Sequence, residues 1–96
     1  MSLTERLADF AGAVGGAATN APDDYPEWSY ATYETNMADI RQLWAEIFPK
    51  LKRDIEQAAF IDLKLLEAFA AFEAGEKDKG QLAMWDIYNL QVKKLR

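Results

Sequence analysis

Neither cysteine nor histidine occurs among the 96 residues. Without cysteine there are no disulfides, no thiolate metal ligands and no Cys nucleophile. Without histidine, Ser-His-Asp and Cys-His arrangements cannot be built within the chain, and neither can classical zinc sites. Catalysis would have to rest on carboxylates, Lys or Tyr. No EF-hand loop, P-loop, Gly-rich dinucleotide turn or Glu-x-x-His pattern organises such groups. The expectation is a protein that is not an enzyme, with no cofactor, no metal and no catalytic residue. Long apolar runs are missing as well: nothing approaches the roughly 18 residues of a membrane span. The apolar N-terminal stretch is broken by Asp9 and Gly12 and has only Arg6 as a base, unlike a secretory leader. No membrane partner and a cytoplasmic location are therefore expected.

Half the residues are hydrophobic and 28% are charged, a composition that folds. The length suits one domain over 1–96 with a single modest core. No strand alternation or internal repeat is present, and helical periodicity recurs throughout. Ser2 and Glu5 form a capping-box pattern before Leu3, Leu7, Phe10 and Val14, predicting a short helix over 2–16 that Gly12, Gly15 and Gly16 weaken. Residues 17–33, with Pro22 and Pro26, read as an irregular connector. A helix over 34–48 follows, capped by Thr35 or Asn36, with Met37, Ile40, Trp44, Ile47, Phe48 and Leu51 on one face. Pro49 imposes a kink or a corner. The stretch 49–74 carries two adjoining seams, Leu51-Ile55-Ala58-Asp62-Leu65-Phe69-Phe72 and Ala59-Leu63-Leu66-Ala70, as a bundle's central helix does. Gly75 ends it and Gly80 opens a last helix over 81–95, with Leu82, Trp85, Tyr88, Val92 and Leu95 inward. The fold class is all-α: a small bundle of three to four helices ending in a C-terminal antiparallel helical hairpin.

Charge is unevenly placed. The stretch 20–39 holds Asp23, Asp24, Glu27, Glu34 and Asp39 and no base, which accounts for the whole net charge of -5; the other eleven acids balance eleven bases. The same stretch carries Tyr25, Trp28, Tyr30 and Tyr33. Rings of this kind offer rigid, amphipathic contact area, and acids beside them steer a basic partner. The competing reading folds the rings onto the bundle as a lid, with the acids outward. A chain this acidic is a poor match for nucleic acid.

Other residues stand out. Asp62 falls near the centre of an apolar face, where a lone carboxylate would need a partner such as Arg41, Lys52 or a Tyr hydroxyl, or a gap that admits water. Lys50, Lys52 and Arg53 read as a solvated helix face, with a small basic patch for an acidic partner as the alternative. Phe60, Ala71, Ile87 and Leu90 lie off the main seams and could together form a homodimer surface.

The leading functional reading is a small acidic helical regulatory or binding protein that meets a basic protein partner through Asp23, Asp24, Tyr25, Glu27, Trp28, Tyr30 and Tyr33. A second class is an inhibitor of a basic nucleic-acid-binding enzyme. In size, acidity and the residues Asp24-Tyr25-Pro26 the chain resembles the immunity proteins of nuclease bacteriocins, which implies such a blocking role. A third class is a small-ligand or metal-dependent enzyme subunit, with a cavity lined by Asp62, Tyr88 and Trp85.

Overall fold

Ser2 opens the first helix by accepting the backbone N–H of Glu5 at 3.2 Å, one of the donors that a helix start leaves unpaired. The computed structural model describes residues 2–28 and 31–96. Helix α1 runs Leu3–Asn20, four residues beyond the predicted end, and buries Leu7, Phe10, Ala11, Val14, Ala17 and Ala18. The glycines do not fray it because two of them sit where neighbours approach. A Cβ at Gly15 would lie 3.0 Å from the Tyr88 ring, and one at Gly16 would lie 3.9 Å from Asn36 Oδ1. Tertiary packing thus offsets a propensity deficit of about 1 kcal/mol per glycine.

Helix α2 spans Tyr33–Ile47. Its cap is Thr32, one turn before the predicted residues: Thr32 Oγ1 accepts Thr35 N–H at 3.2 Å, and Thr35 Oγ1 accepts Thr32 N–H at 2.8 Å. A 3-10 turn, Phe48–Lys50, holds Pro49 where its missing N–H costs nothing. The chain is non-helical from 51 to 54, and helix α3 then runs Ile55–Glu73. The span predicted as 49–74 therefore begins later, and α2 and α3 are separate helices. Asp54, instead of capping α3, turns its carboxylate to the backbone N–H of Arg96 at 2.8 Å.

Helix α3 ends in a Schellman arrangement. Gly75 takes φ +78, its N–H reaches Phe72 O, and Glu76 N–H reaches Ala71 O at 2.7 Å. Helix α4 follows immediately as Lys77–Tyr88, displaced by four residues from the predicted start and well short of 95. Gly80 lies inside it: the Phe72 ring occupies the space that a Cβ would take. Gln91, in the left-handed region at φ 56, then turns the chain into a 3-10 segment, Val92–Lys94.

The hub of the bundle is α1, which packs on α2, α4 and the Val92–Lys94 turn, while α3 packs mainly on α4. This corrects the expectation that the 49–74 helix is central. Phe10 is fully buried and stacks on Trp44 at 5.2 Å, joining α1 to α2. Among the described residues the chain is all helix and turn, with no strand, and no helix is long and apolar enough to cross a membrane.

The inward face of α4 differs from the prediction. Gly80, Ala83, Met84 and Ile87 are buried, whereas Leu82, Trp85 and Tyr88 are exposed. The predicted seam assumed one helix to 95. Because the helix stops at Tyr88, Val92 and Leu95 enter the core from the following turn and impose no phase on α4. Of the residues expected at a homodimer surface, Ala71 and Ile87 are buried and Leu90 is half-buried, leaving Phe60 partly exposed.

Candidate protein-interaction surfaces

The connector between α1 and α2 is fastened at its stem. Its first carbonyl, Ala21 O, accepts the Gln81 side-chain amide of α4 at 2.8 Å. Tyr25 is half-buried and donates its hydroxyl to Asn36 Oδ1 at 2.5 Å; the amide of Asn36 in turn donates to Ala13 O at 3.1 Å. Asn36 is thereby a buried polar side chain satisfied from both ends. Burial, and secondarily Tyr33, push the Tyr25 phenol up to about 12.

Two of the strip's acids are held as well. Asp23 and Asp24 both pair with Lys77 at the start of α4, the first at 3.0 Å, and together they raise the ammonium above its ordinary range. Tyr33 sets its ring edge-on to Phe72 at 5.9 Å, and desolvation, followed by Glu73, raises its pKa. Trp28 departs from this pattern. It is 84% exposed, beside the exposed Glu27. Among the described residues Glu27, Glu34 and Asp39 take no part in an ion pair. Tyr30 lies outside the described residues.

Asp62 is not at the centre of a buried face. The buried side of α3 is Ala58, Ile61, Leu65, Ala68 and Phe72, so Asp62 falls on the border toward α2 and is exposed. Its Oδ1 accepts the indole N–H of Trp44 at 3.2 Å. Neither Arg41 nor Lys52 is its partner: the Arg41 guanidinium lies 4.3 Å over the Phe69 ring. Trp85 and Tyr88 pack edge to face on each other at 5.5 Å on α4, and Tyr88 leans on Gly15 of α1. The cavity expected from Asp62, Trp85 and Tyr88 is therefore not assembled. Among the described residues no group of three or more acids is placed to hold a metal ion.

The second predicted seam, Ala59-Leu63-Leu66-Ala70, has no neighbour among the described residues. Leu63 and Leu66 are 64% and 62% exposed, Ile55 at the head of the same stripe is 65% exposed, and both alanines are open to solvent. Sequence reasoning found the stripe but covered it with a helix the chain does not have. Helix α1 packs on α2 and α4, and α4 already covers the other side of α3, so among the described residues no helix remains for this stripe.

The bases also converge unexpectedly. Arg53 and Asp54 N–H groups donate to Arg96 O at 3.0 and 2.9 Å, which brings Lys52 and Arg53 beside Lys93, Lys94 and Arg96 around an open cleft of about 670 Å³. Lys50, Lys52 and Arg53 are exposed as expected, although on a turn and not on a helix face. Comparison with protein-family models, with curated proteins and with solved structures gives no match.

Proposed function

We propose that this chain is a non-enzymatic protein-interaction module that presents Trp28 to a partner with a basic, pocketed surface. The supporting observation is the contrast within the connector. Tyr25 and Tyr33 are packed, the stem is tied to α1, α2 and α4, and Trp28, the one described ring between them, stands 84% in solvent. A tethered stem limits the ordering cost of binding, and Trp is among the residue types that dominate interface energetics. Glu27, Glu34 and Asp39 would steer a cationic partner toward the ring.

Blocking a nucleic-acid-binding enzyme uses similar chemistry. Lys77, however, already occupies Asp23 and Asp24, leaving a thin anionic surface for a phosphate-backbone mimic. The Trp-centred reading therefore ranks first.

Affinity capture from the native host, comparing the wild-type chain with Trp28→Ala, tests it. The Trp28→Ala variant should lose its partner while melting at the wild-type temperature. Undiminished capture by a folded Trp28→Ala chain would remove the ring from the interface. Captured partner should also elute with rising salt, because the Debye length falls from about 10 Å at 0.1 M to about 3 Å at 1 M.

A further inference from the structure

Helix α3 displays one apolar stripe to the core and a second to solvent. The solvent stripe is Ile55, Ala59, Leu63, Leu66 and Ala70, and its three large members expose more than three-fifths of their surface. Together those three present on the order of 350 Å² of apolar area, within the range of the largest patch that a monomer commonly exposes, which is often functional.

We infer that this stripe is the interface of a homodimer in which two copies of α3 pack antiparallel. Three features select a second copy of the chain as the occupant. The first is the order of side-chain sizes. About a midpoint between Leu63 and Leu66 the stripe is nearly palindromic: Leu63 mirrors Leu66, Ala59 mirrors Ala70, and Ile55 mirrors the exposed Ala74. A two-fold axis at that midpoint therefore lays leucine beside leucine and alanine beside alanine, as an isologous contact requires. The paired alanines allow close helix approach on either side of the leucine centre.

The second feature is charge. Asp62 and the Arg41–Phe69 stack lie along the same edge of the stripe, about two turns apart. Antiparallel packing juxtaposes like edges, so Asp62 of one copy comes near Arg41 over Phe69 of the other. Parallel packing, with its two-fold along the helices, would put these two edges on opposite sides of the contact and bring neither Asp62 nor Arg41 to a partner of opposite charge on that edge.

The third is size. A helix of 19 residues is about 28 Å long. Covering one such face with its copy removes on the order of 1,000 Å² in total, the lower bound for a specific interface. The dimer should accordingly be weak and concentration-dependent. This contact is independent of Trp28 and leaves the connector free.

Sedimentation velocity over a dilution series, up to about 0.5 mM, is the primary test. The wild-type chain should shift from monomer to dimer. Leu63→Ser/Leu66→Ser should stay monomeric at every concentration with an unchanged helical circular dichroism spectrum; both sites are exposed, so the fold survives. Orientation is read separately in a chain that has no cysteine of its own. Ala59→Cys/Ala70→Cys should oxidise to a covalent dimer, and neither single cysteine variant should do so. A wild-type chain that remains monomeric throughout, or a serine variant that dimerises like the wild type, overturns the interface. Cross-linking by the single variants overturns the antiparallel arrangement.

Discussion

The indole N–H of Trp44 donates to Asp62 Oδ1 at 3.2 Å, pinning the border between α2 and α3. The rest of that indole is buried against Phe10 and meets Phe48 edge-on at 5.5 Å, so its N–H is the one polar point of a largely apolar contact. Asp62→Ala leaves this donor without its charged acceptor and should cost about 1–2 kcal/mol in urea unfolding. Asp62→Asn, which keeps an acceptor oxygen, should recover most of that. Equal losses in the two variants would mean that the hydrogen bond is not the source.

Phe10 is the largest fully buried side chain and links α1 to α2 by its stack on Trp44. Phe10→Ala should destabilise by about 3–5 kcal/mol, a large fraction of the total for a domain of this size. Denaturant midpoints, with the slope unchanged, provide the check.

Two glycines in helices should respond oppositely to alanine. Gly12 has nothing within 4 Å of an added Cβ, so Gly12→Ala should stabilise by up to about 1 kcal/mol through helix propensity alone. At Gly80 the same methyl meets the buried Phe72 ring, and Gly80→Ala should cost about 1–3 kcal/mol. Phe72→Leu in the Gly80→Ala background should return part of the loss, whereas additive penalties would show that the two sites do not share one volume.

Tyr25 sets an alkaline limit. Its phenol is pushed up to about 12 from 10.0, chiefly by burial. The folded state therefore holds the proton more tightly than the unfolded one. The associated stability is complete below pH 10 and is lost as pH rises through 12. An ionised Tyr25 would also face the carbonyl oxygen of Asn36 instead of donating to it. Thermal melts should fall across this window in the wild type and fall less in Tyr25→Phe, with the ionisation followed by absorbance at 295 nm.

Legibility in the sequence followed side-chain size. The core faces of α1 and α2 were readable because they are built of large residues, with Leu7, Phe10 and Val14 on one and Met37, Ile40, Trp44 and Ile47 on the other. In α3 and α4 small residues take much of the core: Ala58 and Ala68 in one, Gly80 and Ala83 in the other. Their neighbours Leu63, Leu66, Leu82 and Trp85 face outward. A reading that turns the bulkiest side chains inward finds Leu65 and Phe72 of α3 but buries Leu63 and Leu66 and misplaces α4, because close helix approach selects small residues. The acidic strip was visible as a charge excess. Its fastening to Lys77 and Gln81 was not, since those groups lie more than fifty positions away along the chain.

The graded burial of the three tryptophans makes the chain its own optical gauge. Trp44 is almost wholly enclosed, Trp85 is partly covered and Trp28 is nearly bare. Docking on the connector should move only the red edge of the emission toward the blue and shield it from iodide. Opening of the α1–α2 contact should drag the blue edge toward the red. A single fluorescence spectrum can thus separate engagement of the loop from loss of the fold, with no label attached.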